Sequence, residues 1–215
     1  MITFNNVTKK FGPHLVLNKM SFEIKANEFV VLKGTSGAGK STVVALLIGA
    51  EKPDQGTVEV DGMLVNEMDD DTLQLYRRKI GVVFQDYKLL PKKTVFENVA
   101  FAMEVCGESS ELINIRVPAV LEKVGLLHFQ DKFPEQLSGG EMQRLAIARA
   151  LVHSPRLIIT DEPTGNLDEG NVRGIMSVLK KLHSEGATVF MTTHDPLVEQ
   201  LAEGRVLYLE DGRIR

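Results

Sequence analysis

The sequence predicts an α/β fold in which helices cover both faces of a parallel sheet. A short apolar stretch at residues 29–33 leads into a glycine-rich segment at residues 34–41, and an apolar helical stretch follows at residues 42–48. The last third of the chain alternates strand patterns with helical patterns. The start of the chain differs, because residues 2–24 and 57–62 are typical of short strands joined by turns, which predicts an antiparallel β region there.

The chain has 215 residues, and its hydrophobic and charged fractions of 43% and 25% are those of an ordinary globular protein. The formal net charge of −4 provides no overall basic field, so we expect no nucleic-acid partner. A single cysteine, Cys106, precludes an internal disulfide and suits a reducing cytosol. We expect no signal peptide at the N-terminus and no membrane span, since the longest apolar runs are far short of about 20 residues. Any membrane role therefore requires a partner.

A helical stretch interrupts the α/β alternation in the middle of the chain. A buried strand is predicted at residues 80–85, and candidate helices follow at residues 94–103, 110–124 and 140–152. Pro118 lies inside the second of these and is expected to kink or divide it. We predict a single domain over residues 1–215, with an inserted helical subdomain at residues 86–155.

The remaining elements follow from local patterns. An acidic run at residues 69–72 predicts the start of a helix that reaches residue 78. Strands are predicted at 157–160, 188–192 and 205–209, and helices at 171–184 and 196–202.

The glycine-rich segment matches the phosphate-loop pattern G-x-x-x-x-G-K-[ST] without a mismatch. Its residues are Gly34, Thr35, Ser36, Gly37, Ala38, Gly39, Lys40 and Ser41. The glycines allow a tight turn, and successive N–H groups then form an anion site at a helix N-terminus. Lys40 supplies a positive charge for the phosphates, and Ser41 offers a hydroxyl to Mg²⁺. The alternative is a glycine- and serine-rich turn before a core helix.

Two acids, Asp161 and Glu162, directly follow the predicted strand at 157–160. Ligands bind at this end of parallel strands. Asp161 is placed to hold the Mg²⁺ shell, usually through water, and Glu162 to orient and deprotonate an attacking water. The alternative is a pair of acids in a solvated loop.

A third segment, Ser138-Gly139-Gly140, opens a predicted helix and would form a second anion site by the same physics. One chain has one nucleotide between its phosphate loop and its acids, so a second phosphate site favours the nucleotide of another subunit. The alternative is that Ser138 is only a helix N-cap.

These segments, together with three further positions, stand in the same order along the chain as the motifs of the ABC-type ATPase family. The resemblance extends over essentially the whole chain. They are similar to its Walker A, Q-loop, signature, Walker B, D-loop and H-loop, at residues 34–41, Gln85, 137–141, 157–162, 166–168 and His194. The resemblance implies a P-loop NTPase (RecA-like) core with an N-terminal antiparallel β subdomain and an inserted helical subdomain. It also implies ATP and Mg²⁺ as ligands, and a head-to-tail homodimer with two ATP molecules between the subunits.

The resemblance also implies residue roles. Phe11 corresponds to the aromatic residue that stacks on adenine; the family more often has Tyr there, and the alternative for Phe11 is a strand-end core residue. Lys40, Ser41 and Thr42 correspond to the phosphate and Mg²⁺ contacts, and Asp161 to a metal-site acid.

Other roles lie outside the phosphate loop. Gln85 corresponds to the residue that reaches Mg²⁺ and the attacking water and links to the membrane partner. The resemblance implies that Ser138, Gly139 and Gly140 contact the γ-phosphate held by the other subunit and that Asp168 belongs to the nucleotide site. Glu162 corresponds to the catalytic base and His194 to the switch histidine.

Within the family, residues 162–168 resemble the branch of lipoprotein-release, macrolide-type efflux and FtsE-type cell-division ATPases. The segments most similar to the FtsE type are 84–91, 94–102, 116–121 and 133–137. That resemblance implies a peripheral protein on the cytoplasmic face of the bacterial cell membrane, with an FtsX-like four-span partner and septal ring components. Its ATP-driven motion would control cell-wall hydrolysis during division. The alternative is the ATPase subunit of a lipoprotein-release or macrolide-type efflux transporter.

Overall fold

The computed structural model describes residues 1–165 and 167–215. Asn166, which the sequence places in the segment that resembles the D-loop, lies outside the described residues. The strands are β1 (Ile2–Phe11), β2 (His14–Ile24), β3 (Phe29–Lys33), β4 (Gln55–Val60), β5 (Met63–Leu64), β6 (Ile80–Val83), β7 (Leu157–Asp161), β8 (Thr188–Thr193), β9 (Arg205–Glu210) and β10 (Arg213–Ile214). The helices are α1 (Lys40–Leu47), α2 (Asp70–Arg77), α3 (Val95–Glu104), α4 (Ser110–Lys123), α5 (Gly139–Leu151), α6 (Glu169–Ser184) and α7 (Pro196–Ala202).

A six-stranded sheet has the order β10-β9-β3-β8-β7-β6 and is parallel except for the β10–β9 pair. Its central strands are apolar because both of their faces are buried. Val30 and Leu32 point into the cluster with α1 and the N-terminal strands, whereas Val31 points into the cluster with α3 to α6. The carboxyl ends of β3, β7 and β8 therefore lie side by side at one edge, where the candidate site is built.

A separate four-stranded sheet has the order β2-β1-β4-β5, and all its pairs are antiparallel. Ile2 pairs with Ile24 on one side and with Val60 on the other. All three side chains are buried against the core that contains α1. The predicted antiparallel region at the start of the chain is confirmed.

The helices and strands predicted in the last third of the chain are confirmed to within two residues at each end. The start of α2 is confirmed as well, because the Asp69 carboxylate accepts from Thr72 N at 2.9 Å. The sequence did not predict β10, whose two residues give too short a pattern to recognise.

Pro118 does not divide α4, which runs without interruption from Ser110 to Lys123, so that part of the prediction was wrong. Val117 and Leu121 are fully buried in the same core, and their packing holds the two halves of the helix together despite the missing N–H.

The helices α3, α4 and α5 lie between β6 and β7 in the chain and share one hydrophobic core with α6. We propose residues 86–155 as the bounds of this inserted subdomain. Within the described part of the chain, no helix combines the length and the apolar character that a membrane crossing requires.

Candidate functional site

The phosphate loop joins the carboxyl end of β3 to the first residue of α1, as the motif requires. Gly37 and Gly39 have φ values of 80° and 104°, which favour glycine. A Cβ atom at Gly39 would also lie 2.9 Å from Val16 Cγ1. At the start of the loop, a Cβ at Gly34 would lie 2.9 Å from Leu209 O. The glycines are therefore needed for the backbone conformation and for close packing.

Lys40 directs its ammonium group into the site and is nearly inaccessible, with a side chain 3% exposed. It donates to the carbonyl oxygens of Gly34 and Thr35, each at 2.9 Å. Its Nζ also lies 3.0 Å from Glu162 Oε1. The ammonium is thus held where a phosphate on the loop would meet it.

Glu162 lies between two predicted site residues. Its Oε1 pairs with Lys40, and its Oε2 lies 2.9 Å from His194 Nδ1. The backbone of Glu162 has a φ of 46°, a strained value for a side chain of this size. Such strain, kept at the end of a buried strand, is typical of functional sites.

Asp161 is joined to the same group through Thr192, a buried residue of β8. Thr192 Oγ1 donates to Asp161 Oδ1 at 2.6 Å and accepts from Glu162 N at 3.1 Å. Sequence reasoning did not single out Thr192. The sequence does contain a clue to this residue, because a hydroxyl side chain stands two positions before His194 on a strand whose centre is otherwise apolar.

Gln85 follows β6 and lies beside the loop that contains Glu162. A Cβ on Gly165 would lie 3.2 Å from Gln85 Nε2, and Gly165 N donates to Glu162 O at 3.1 Å. The structure therefore brings Gln85 close to the loop after the second acid.

The signature segment begins α5. Ser138 caps the helix: Glu141 N donates to Ser138 Oγ at 3.4 Å, and Ser138 N donates to Glu141 Oε2 at 2.7 Å. The backbone hydrogen bond from Ser138, helped by a second one from its hydroxyl, lowers the pKa of the Glu141 carboxyl from its ordinary value. Ser138 is thus the N-cap of α5, and its contact with another subunit stays a prediction.

Gly140 is the point at which the signature segment meets the segment of Asp168. A Cβ on Gly140 would lie only 1.9 Å from Asn171 Oδ1. Asn171 Nδ2 in turn donates to Asp168 Oδ2 at 2.6 Å, and Asn171 N donates to Asp168 Oδ1 at 3.0 Å. These hydrogen bonds lower the pKa of the Asp168 carboxyl, and the bond from the Asn171 backbone N–H has the largest effect. Asn171 was missed as a site residue because a position inside a helix carries no motif.

Apart from Phe11 and Thr42, the predicted residues therefore form two groups in one protomer. One comprises the phosphate loop, Asp161, Glu162 and His194, with Gln85 beside it. The other comprises the signature residues and Asp168, whose neighbours include Tyr87, Glu141, Leu167 and Asn171.

Phe11 ends β1 and is 45% exposed, with Lys9 Nζ lying 5.0 Å from its ring centroid. The alternative that Phe11 is a core residue is therefore wrong. An exposed ring next to a cation keeps a free face for stacking.

A cleft of about 1170 Å³ opens beside the phosphate loop. Its walls come from the loop, from the start of β2, from His194 and from the end of β9. The loop residues 35–37 are exposed, and Ser41 lies exposed in the first turn of α1. The backbone geometry and the buried ammonium of Lys40 fit a bound triphosphate.

The oxygen atoms of the side chains at the site fit a Mg²⁺ ion that is bound together with a phosphate ligand. Mg²⁺ prefers oxygen ligands and is commonly held by one or two carboxylates together with substrate phosphates. Asp161, the Ser41 hydroxyl and the Gln85 amide offer such oxygens. Among residues 1–165 and 167–215, no group of three His, Cys, Asp or Glu side chains forms an independent metal site.

Comparison with known proteins gives consistent matches. The family described as "ABC transporter" matches residues 17–165. The "Cell division ATP-binding protein FtsE" of Bacillus subtilis is 47% identical over 215 residues, which cover 100% of this chain and 94% of that protein. Its namesake in Escherichia coli is 41% identical, with 100% and 97% covered.

Solved structures agree with these sequence matches. A dimeric ATP-binding cassette in a post-hydrolysis state, bound to ADP and Pi, superimposes with a TM-score of 0.91 at 40% identity. The match covers 100% of this chain and 97% of that one. Both the fold and the family predicted from the sequence are confirmed, and the chain belongs to the ABC transporter family, with the fold of its ATP-binding cassettes.

Proposed function

We propose that the chain is the ATP-binding and ATP-hydrolysing subunit of a membrane complex that acts in bacterial cell division. The observation that carries the catalytic part is the position of the Glu162 carboxylate between Lys40 and His194 at the carboxyl edge of the parallel sheet. A base, a cation and an imidazole converge there beside a phosphate loop, and a positioned base with a cation at the phosphates supports phosphoryl transfer to water.

The proposed roles follow from these contacts. Glu162 orients a water molecule and accepts its proton as the water oxygen bonds to the γ-phosphorus and the bond to the ADP oxygen breaks. Lys40 exchanges its contact with Glu162 for the phosphates, which frees one carboxylate oxygen for the water. His194 holds the other carboxylate oxygen and keeps it in place. Mg²⁺, held by Ser41, Gln85 and Asp161, would neutralise the phosphate charge when bound.

A homodimer completes the site in this proposal. In one protomer the signature residues lie beside the segment of Asp168. Ser138 is exposed at the N-terminal end of α5, and this end is therefore available to a second copy of the chain. The dimeric cassettes among the solved structures support a dimer, for which we propose a head-to-tail arrangement. Two ATP molecules would then lie between the subunits, each between the phosphate loop of one and Ser138, Gly139 and Gly140 of the other. Adenine would stack on Phe11.

The relatives named for cell division support the cellular role. We infer an FtsX-like four-span membrane partner, septal ring components as further contacts, and a peripheral position on the cytoplasmic face of the membrane. On α3 and at its end, Phe101 and Val105 lie one turn apart and are 40% and 55% exposed. Such apolar exposure beside the segment that follows Gln85 suits a partner contact. ATP-driven closure of the dimer would thereby control cell-wall hydrolysis.

A membrane pull-down tests the cellular part. The Glu162→Gln chain, held closed by ATP, is used as bait, and the co-purifying proteins are identified by mass spectrometry. We expect a four-span protein together with septal or cell-wall hydrolase components. A four-span permease with an efflux adaptor or with lipoproteins would instead support the exporter alternative. In that case the proposal for ATP chemistry would stand and the division role would be wrong.

A further inference from the structure

The segment between β6 and α3 has an unusual backbone that its own sequence does not explain. Tyr87 and Lys88 both adopt left-handed conformations, with φ values of 57° and 49°. Two consecutive left-handed residues that are not glycine are strained, so neighbouring groups must hold them in place. The same segment follows Gln85 and leads to α3, which we propose faces the membrane partner. We refer to residues 87–94 as the connecting segment.

Arg149, in the last turn of α5, stabilises the start of the connecting segment through hydrogen bonds to its backbone. Its Nη2 donates to Tyr87 O at 2.8 Å, and its Nη1 donates to Lys88 O at 2.6 Å. The two acceptors belong to the two left-handed residues. Arg149 is partly buried in this position, and burial lowers the pKa of its guanidinium from its ordinary value. The planar fork of Arg suits two adjacent carbonyls in a way that a single ammonium does not.

Asn98 of α3 holds the rest of the connecting segment. The side chain is fully buried; its Oδ1 accepts from Leu90 N at 2.8 Å. Its Nδ2 lies within 3.1 Å of three carbonyl oxygens, those of Leu90, Lys93 and Thr94. Together the two side chains make six contacts with the backbone of the connecting segment. Its shape is therefore imposed by α5 at one end and by α3 at the other.

The connecting segment also reaches the beginning of α5. A Cβ atom on Gly139 would lie 3.5 Å from the Tyr87 hydroxyl. The Tyr87 side chain thus lies close to the signature end of α5, while Arg149 at the other end of the helix binds the Tyr87 carbonyl. If α5 moved relative to the connecting segment, the two hydrogen bonds of Arg149 would have to break.

We propose that Arg149 is a positioning residue that fastens the connecting segment to α5, so that Gln85, the partner-facing segment and the Ser138 end of α5 move as one body. The role rests on the proposed function, because it assigns Arg149 to the link between the ATP site and the partner surface. Arg149 touches none of the phosphate-loop residues and acts only through the backbone that it holds.

Limited proteolysis of the 215-residue chain tests whether Arg149 holds the connecting segment, and it requires no ATP chemistry. Trypsin can cleave after Lys88, Lys92 and Lys93, and mass spectrometry maps each cut. We expect Arg149→Ala to raise cleavage at these sites at least about fivefold, because the local opening becomes easier. Arg149→Lys, which keeps one donor group, should fall between the wild type and Arg149→Ala. Arg173→Ala, which removes an exposed arginine of α6, is the matched control and should behave as the wild type.

Each variant is digested at the same interval below its own thermal midpoint, so that a global loss of stability does not imitate local opening. Where Arg149→Ala does not fold, Arg149→Gln replaces it, because Gln keeps the aliphatic stem and an amide donor. Unchanged cleavage after Lys88 in the folded variants would overturn the proposal.

Steady-state kinetics test the consequence for Gln85. We expect Arg149→Ala to lower kcat by about tenfold or more while KM for ATP stays within about twofold, since misplacement rather than lost binding is responsible. Arg149→Lys should restore part of kcat, and Arg173→Ala should match the wild type. A rise in KM with kcat unchanged would contradict the positioning role. Absence of turnover in the wild type would count against the proposed function, and the proteolysis would still decide the role of Arg149.

Discussion

Lys40 and Glu162, which the sequence assigns to phosphate binding and to proton transfer, form an ion pair with each other at 3.0 Å. Their side chains are 3% and 14% exposed, so the pair lies largely out of water. Because the second oxygen of Glu162 contacts His194, one carboxylate ties the phosphate loop to the ends of β7 and β8. A phosphate that binds Lys40 must compete with this carboxylate, and binding therefore changes the surroundings of the base.

Replacing Glu162 by Gln should abolish most turnover and keep ATP binding. The amide retains the shape and a hydrogen-bonding oxygen but cannot accept the proton, so we expect kcat to fall by about 100-fold or more. Phosphate release gives the rate, and a fluorescent ATP analogue gives the affinity. Glu169→Gln, an exposed acid at the start of α6, is the control and should keep the wild-type rate. Unchanged turnover in Glu162→Gln would remove Glu162 from the role of base.

Replacing Lys40 by Met should weaken ATP binding and also destabilise the protein without nucleotide. Among the residues that the structure describes, the Glu162 carboxylate would then keep His194 as its one side-chain partner, in a poorly solvated position. We expect the free energy of unfolding to fall by roughly 1–3 kcal/mol, as for a buried charge that loses its partner. Urea denaturation measures this loss. The double variant Lys40→Met/Glu162→Gln should recover most of it, and equal stabilities of the single and double variants would contradict the coupling.

The sequence was sufficient for the fold class and for the position of each motif, because both depend on local patterns. The phosphate loop needs its glycines at fixed spacing, and a strand that is buried on both faces is continuously apolar. The two acids after β7 follow from the strand itself. Each of these signals lies within a few neighbouring residues, which is why it was visible without a structure.

Contacts between distant parts of the chain were not predictable in this way. Thr192, Asn171 and Arg149 each join two segments that are far apart in sequence, and a single Thr, Asn or Arg on a regular element carries no motif. Pro118 shows the opposite error, because a local rule predicted a break that tertiary packing prevents. Side-chain partners depend on which elements the topology places side by side.

Replacing Gly140 by Ala should be costly because of one neighbour. The added Cβ would lie 1.9 Å from Asn171 Oδ1, so the Asn171 side chain must move and give up its hydrogen bond to Asp168. We expect a loss of about 1 kcal/mol in the free energy of unfolding, measured with urea. Asn171→Ala removes the obstacle, and the cost of Gly140→Ala should shrink in that background. Gly174→Ala is the control: nothing lies within 4 Å of its Cβ, so helix propensity should make it stabilising. Equal costs of Gly140→Ala in both backgrounds would contradict the explanation.

Acid should weaken the N-terminal ends of α3 and α5 through their capping glutamates. The pKa of Glu97 is lowered by a backbone hydrogen bond from Thr94, and that of Glu141 by one from Ser138. A carboxyl whose pKa is lower in the folded chain than in the unfolded chain stabilises the fold above the unfolded value, and this stabilisation is lost as the pH falls through the folded value. We expect the thermal midpoint to drop as the pH falls below about 4.5. Glu97→Gln/Glu141→Gln cannot titrate at these caps and should show a smaller drop over the same pH range. Thermal melts followed by circular dichroism measure both proteins, and parallel pH profiles would show that these two caps do not contribute.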